Sequence, residues 1–283
     1  MSETKTISCY APAKIMLAGE YAVVDGGPAI LMAVDRAAVA TLHRKTQYLS
    51  PFLLSAQRTI AQEFGQASQE VHNARRVSVC TDSFRHKGTK IGLGSSAAAT
   101  VAAIGISITP ADATVNQALV HRLAAKAHGD AQAKMGARGS GADIACASLG
   151  GVRLFQARST RASDATPNHA GEEHQSSEGT QTTACQLPSD LHLVFPWTQK
   201  AAATAPMVRA VQEFKSRAEN EYLQLAEAIS AEAIALAFRE YDDAGVVEKT
   251  LLHFSYYVGK YKARKSGGSF WSLDEYLNIS RKE

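Results

Sequence analysis

The sequence predicts an α+β protein of two lobes, and three observations predict it. Short apolar or alternating runs broken by turn residues fill the first third of the chain. Helical periodicity takes over from Ser95. A polar stretch at residues 156–188 then divides the chain into an N-terminal and a C-terminal part.

Taken in order, residues Ile7 to Tyr10, Ile15 to Ala18, Ile30 to Val34 and Ala37 to Leu42 read as strands, punctuated by Pro12 and by Gly26-Gly27-Pro28. Residues 55–65, SAQRTIAQEFG, read as a short helix, and Val77 to Cys80 as a further strand. A helix is expected from Ser95 (AAATVAAIGISI). A second is expected over about 113–134, where Val115, Leu119, Leu123 and Ala127 recur at helical spacing. Residues 156–188 are rich in Ser, Thr, Ala, Gln and Glu and almost free of large apolar side chains. Such a segment buries too little surface to offset its ordering entropy, so a disordered or long surface loop is expected there. Beyond it, LHLVFP reads as a strand, and Tyr222, Leu225, Ala226, Ile229, Ala233 and Leu236 recur at helical spacing within 206–239. The expected division is a lobe at 1–155, an insertion at 156–188 and a truncated or divergent second lobe at 189–283.

Composition narrows the function classes. A chain of 283 residues with 45% apolar and 20% charged residues is an ordinary globular sequence with room for a substantial core. The formal charge of +3 does not suggest a nucleic-acid binder, although it suits a small anionic substrate. The N-terminal MSETKTISCYAPAK has no apolar leader, and no apolar run approaches the ~18–20 residues of a membrane span. The four cysteines (Cys9, Cys80, Cys146, Cys185) are far apart and form no CxxC pair, as expected of reduced cytoplasmic thiols. The expectation is a cytoplasmic monomer or homodimer with a small-molecule partner, no nucleic acid and no membrane.

Three stretches can carry chemistry. In APAKIMLAGEYAVVDGGPAI (11–30), Lys14 sits between a proline turn and an apolar strand that Gly19-Glu20-Tyr21 breaks. An ordinary hairpin with solvated Lys14 and Glu20 fits these residues as well. In KIGLGSSAAAT (90–100), a Gly-rich turn opens a helix, so that first-turn N–H groups and the positive dipole end can hold an anion. Glycines let a phosphate approach the backbone, and a first-turn Ser hydroxyl can reach a Mg²⁺ that bridges two phosphates. Neither GxxxxGK[ST] nor GxGxxG is present, and a simple Gly-Ser helix cap fits the same residues. In KMGARGSGADIACASLGG (134–151), Lys134 and Arg138 flank a Gly-Ser-Gly turn, and Asp143 opens a run of small residues. Asp143 could simply be a helix N-terminal carboxylate.

In this order the three stretches resemble the GHMP kinase superfamily (galactokinase, homoserine kinase, mevalonate kinase, phosphomevalonate kinase). Its first motif is similar to PxKxxLxGEhxVxxG and its second to GLGSSAA, and its Asp follows in a G-S/G-x-D block. The resemblance covers about residues 7–155 and 191–210. Within it the phosphomevalonate kinase branch matches best. Gly19-Glu20-Tyr21 has Tyr where mevalonate and galactose kinases usually carry His, and GSGADIA is similar to GSGADVA. Gln132 stands eleven residues before Asp143, where mevalonate kinases place a Mg²⁺-binding Glu, and PWTQKAAATAPMV (196–208) is similar to WTGxxASTxxLV. The family's third, Gly-rich motif, similar to KxSGAGGGD, is not found. Lys265-Ser266-Gly267-Gly268 is a faint echo of it.

The resemblance implies an N-terminal lobe like ribosomal-protein S5 domain 2, a ferredoxin-like C-terminal lobe, ATP and substrate meeting in the cleft between them, and ATP and Mg²⁺ as cofactors. It implies that Gly92, Leu93, Gly94, Ser95, Ser96 and Ala97 hold ATP phosphates, with Ser96 as the metal ligand, and that Lys14 and Asp143 are catalytic. Lys14, Glu20, Tyr21, Lys134, Arg138 and Ser140 are the expected substrate-facing residues, Lys134 and Arg138 on local charge. The expected reaction is ATP-dependent phosphorylation of 5-phosphomevalonate to 5-diphosphomevalonate in isoprenoid synthesis. The alternatives are mevalonate or another small-molecule acceptor, or a non-catalytic nucleotide- or metabolite-binding protein of the same fold.

Overall fold

The computed structural model describes residues 7–43, 49–111, 113–137, 139–157, 173–175, 180–187, 193, 195, 197 and 204–238. Within them the chain is α+β, as expected. Strand β1 (Ser8–Ala18) pairs antiparallel with β2 (Pro28–Leu42) along nearly its whole length. Each unites two runs that the sequence pattern kept apart, because the ladder passes through its irregularities. Pro12 pairs with Ala37 and Ala13 with Val34, so the bulge takes up Asp35 and Arg36 and lets a residue without an N–H sit in the sheet. The turn between the strands requires Gly19. Its φ is +97°, and a Cβ there would fall 2.4 Å from the Ala29 Cα and the Pro28 carbonyl oxygen.

Helix α1 (Pro51–Phe64) starts earlier than expected, with Pro51 in its first turn and the Ser50 hydroxyl accepting from the Leu53 N–H. A short α2 (Gln69–Ala74) leads to β3 (Val77–Cys80), which pairs with the far end of β2. Two-residue strands β4 (Arg85–His86) and β5 (Thr89–Lys90) form a small hairpin before α3 (Ser95–Ile108). Then come α4 (Gln117–Lys134), opened by Asn116 accepting from the Leu119 N–H at 3.0 Å, and α5 (Ala142–Leu149). Strand β6 (Val152–Ala157) pairs with the near end of β2. Beyond it lie β7 (Glu173–Gln175) and β8 (Thr180–Cys185), and the sheet order is β1-β2-β6-β8-β7, all antiparallel. Residues 180–185 therefore correct the expected loop at 156–188. Thr182 is buried in a strand whose polar side chains concealed its role. Residues 158–172 and 176–179 lie outside the described residues.

The helices divide between the two faces of the sheet. Ala29, Leu31 and Phe155 pack toward α5, whereas Ile30 and Leu154 pack with Leu17 and Ala233 under α7 (Glu219–Phe238). A strand covered on both faces shows no polar alternation, which is why PAILMAV reads as one apolar run. The main core lies between the sheet and α1–α4. Helix α3 supplies mostly alanine to it, so its axis comes close to β1; a Cβ on Gly105 would meet the Cys9 sulfur at 2.7 Å.

The helical periodicity within 206–239 resolves into α6 (Thr204–Arg217) and α7, broken at Ala218. Both reach the turn between β1 and β2 through polar contacts to one acid. Asp25 accepts hydrogen bonds from Lys215 Nζ at 2.9 Å and from the Tyr222 hydroxyl. Only Leu193 and Phe195 of the expected strand LHLVFP are among the described residues. Residues 239–283, including Lys265 to Gly268 and most of the expected ferredoxin-like lobe, lie outside them. No helix among the described residues is long and apolar enough to cross a membrane.

Candidate active site

Strand β1 packs against both α3 and α5, and Lys14 on it meets the start of each, which assembles the site. The Lys14 N–H donates to the Leu93 carbonyl at 3.1 Å, which ties the Gly-rich turn to the strand. The Lys14 ammonium then lies 2.9 Å from Asp143 Oδ1 in the first turn of α5, with side chains 15% and 37% exposed. Gly94 lies over the pair. At φ +77° it is left-handed, and a Cβ on it would stand 3.2 Å from Lys14 Cγ and Cε and 3.6 Å from Asp143 Oδ2. The glycine is thus needed both for its dihedral and for the approach of the lysine stem.

Helix α3 begins at Ser95 with Gly94 as its cap, and among the described residues no side chain caps its first turn. These orphan donors and the helix dipole make an anion cradle beside an ammonium group. Ser96, one residue further, hydrogen-bonds His128 Nε2 through its hydroxyl at 3.2 Å. The His128 ring stacks on Phe52 with centroids 4.7 Å apart. Burial pushes the His128 imidazole below its usual range, and Asp143 opposes this only in part.

Glu20 is the second residue of the turn that follows β1. Its Oε2 is shut off from solvent and has no hydrogen-bond partner among the described residues, although the residue as a whole is partly exposed. Burial pushes its carboxyl up to about 7, against the pull of its own backbone N–H and of Lys14. Tyr21 beside it holds φ +66°, a left-handed conformation rare outside glycine.

The expected residues thus divide. Lys14, Asp143, Gly92, Leu93, Gly94, Ser95, Ser96 and Ala97 come together around one cradle. Ser140 uses its hydroxyl locally, accepting from the Ala142 N–H at 3.3 Å at the start of α5. Lys134 is exposed in the last turn of α4, and Arg138 lies outside the described residues. Gln132 folds over the Gly-Ser-Gly turn, where a Cβ on Gly139 would meet its amide at 2.5 Å. Of the PWTQ segment only Trp197 is described; its ring stands edge-on to His86 at 5.6 Å. Sequence reasoning missed His128 and Phe52. Both sit at helical core spacing, and nothing in the sequence marks His128 as facing Ser96 or Phe52 as stacking on His128.

The donors fit a nucleotide with a hard divalent cation. Ser96 Oγ and the Asp143 carboxylate are oxygen donors beside the uncapped helix end. No group of three or more His, Cys, Asp or Glu among the described residues could hold a metal alone. Phosphate oxygens and water would have to complete the coordination, as is usual for Mg²⁺.

Residues 52–151 match the family described as GHMP kinases N terminal domain. The phosphomevalonate kinase of Streptomyces sp. (strain CL190) is 28% identical over 247 residues, covering 72% of this chain and 64% of that protein. The chain thus spans less than two thirds of that relative's length. Two solved structures share the fold. The Lin0012 protein of Listeria innocua superposes with a TM-score of 0.69 at 20% identity over 94% of this chain and 81% of its own. The Streptococcus pneumoniae phosphomevalonate kinase, solved with phosphomevalonate and AMPPNP, does so with a TM-score of 0.60 at 17% identity over 87% and 77%.

Proposed function

We propose that this chain, whose residues 52–151 match the GHMP kinases N terminal domain family, transfers the γ-phosphoryl group of ATP to 5-phosphomevalonate, giving 5-diphosphomevalonate and ADP. The observation that carries the reading is the Lys14–Asp143 pair, held 2.9 Å apart under Gly94 at the open end of α3.

Phosphoryl transfer demands positioning and charge neutralisation more than covalent chemistry from the protein. The N–H groups at the start of α3 bind the nucleotide's phosphate oxygens. Lys14 neutralises charge on the group in transit, and Asp143 fixes the ammonium in place. Mg²⁺, when bound, supplies charge neutralisation on the phosphate oxygens; Ser96 and Asp143 would hold it. A phosphate monoester with a second pKa of about 6 is largely ionised at pH 7. With that acceptor Asp143 need not remove a proton. Lys134 and Arg138 supply positive charge near the Gly-Ser-Gly turn for the acceptor's phosphate.

The test is coupled detection of ADP from the purified chain with ATP, Mg²⁺ and either 5-phosphomevalonate or mevalonate. Turnover with 5-phosphomevalonate at a much higher kcat/KM supports the reading. Preference for mevalonate moves the acceptor to the alcohol, and ATP binding with no turnover on either acceptor rejects catalysis.

A further inference from the structure

We propose that His128 is a positioning residue that fixes the Ser96 hydroxyl, so that the serine oxygen faces the phosphate cradle with its lone pairs free. The inference rests on the reading of Ser96 as a cation ligand and goes beyond it.

A serine in the first helical turn ordinarily has several χ1 wells open to it and a hydroxyl free to rotate. Here His128 Nε2 lies 3.2 Å from Ser96 Oγ, and among the described residues no other partner engages that hydroxyl. The imidazole cannot easily swing away. It is buried in the core between α4 and its neighbours and lies nearly flat on Phe52, with an interplanar angle of 21°. An imidazole accepting at Nε2 receives the serine O–H hydrogen bond and leaves the oxygen's lone pairs for a cation.

The same helix carries an internal contrast. His121, two turns earlier, pairs with Ser148 through Nδ1 at 2.9 Å. The Ser148 hydroxyl already donates to the Ile144 carbonyl at 2.7 Å, so its oxygen accepts from His121. Both members are buried. That pair joins α4 to α5 within the core, whereas the His128 pair ends at the cradle.

The experiment measures ATP affinity by calorimetry with no acceptor present, once with Mg²⁺ and once with EDTA. The variants are Ser96→Ala, His128→Leu, His128→Gln, His128→Asn, His121→Leu and the Ser96→Ala/His128→Leu pair. Ser96→Ala and His128→Leu should each weaken ATP binding about tenfold in Mg²⁺ and leave it unchanged in EDTA. The double variant should be no weaker than Ser96→Ala alone. Gln, long enough to place an acceptor where Nε2 stands, should restore most of the affinity, and the shorter Asn should not. This Gln–Asn contrast decides the matter even if His128→Leu fails to fold. His121→Leu should lower the Tm without altering the Mg²⁺ dependence. Additive losses in the double variant, or equal losses in EDTA, would overturn the proposal. An unchanged Mg²⁺-dependent affinity in Ser96→Ala would instead overturn the reading of Ser96 itself.

Discussion

Lys14 and Asp143 meet across two elements far apart in sequence, ammonium to carboxylate at 2.9 Å, with only a glycine between them and the opening of α3. The pair is partly shielded from solvent, so it is more than a screened surface contact. On the proposed function it gives Lys14 one position from which to act on a phosphate at the helix end.

Replacing Lys14 with Ala should lower kcat by orders of magnitude while far-UV dichroism and Tm stay close to those of the parent. The lysine stem contributes little to the main core, which is built from other side chains. Retained turnover would remove Lys14 from the site.

Asp143→Asn separates two roles of the carboxylate. An alcohol acceptor needs its proton removed or oriented, and an ionised phosphate does not. The loss in kcat should be much greater with mevalonate than with 5-phosphomevalonate. Equal losses would contradict that division of labour.

Gly94→Ala should cost about 1–2 kcal/mol of stability from its left-handed backbone and push the Lys14 stem, 3.2 Å from the new methyl, out of line. ATP affinity should fall at least about tenfold. Unchanged affinity in a folded variant would show that the turn does not shape the cradle.

Glu20 gives the fold a pH dependence of known sign. Its carboxyl stands at about 7 in the folded chain and near its ordinary value in the unfolded one, so the native state holds the proton more tightly. The stabilisation is complete below about pH 4 and is lost as pH rises through 7, to a limit of about 3 kcal/mol. Glu20→Gln should flatten this part of the urea-midpoint profile between pH 5 and 8. A profile identical to that of the parent would place the orphan oxygen in contact with water.

Asp25 acts in the opposite sense. Burial raises its carboxyl, but hydrogen bonds from Tyr222 and Lys215 outweigh that and leave it below the usual range. Its contribution is present above about pH 4 and fades as the pH falls further. Asp25→Ala should loosen α6 and α7 and speed tryptic cleavage at Lys215 and Arg217 several-fold at neutral pH. Unaltered cleavage would mean that apolar packing alone holds these helices.

The parts of the site legible in the sequence are those whose chemistry is local. Gly92 to Ser96 declare a helix end open to an anion, and Lys14 and Asp143 stand in motifs of their own. That Lys14 reaches Asp143 was not legible as geometry, because it depends on β1 packing against both α3 and α5. His128 and Phe52 read as core positions because helical spacing reports which face is buried, not which polar group that face meets. In the fold, Pro12 and Asp35-Arg36 read as the ends of strands that a bulge carries through. Thr180 to Cys185 read as too polar for the sheet that nonetheless pairs them with β6.

The proposed transfer forms a new phosphoanhydride bond on the acceptor, and ³¹P NMR of the chain incubated with ATP, Mg²⁺ and 5-phosphomevalonate observes that bond directly. The predicted result is loss of the monoester resonance and the appearance of two coupled diphosphate resonances, together with those of ADP, and none of these with Lys14→Ala. A persistent monoester signal beside intact ATP, from a folded chain that binds the nucleotide, would rule out the proposed transfer.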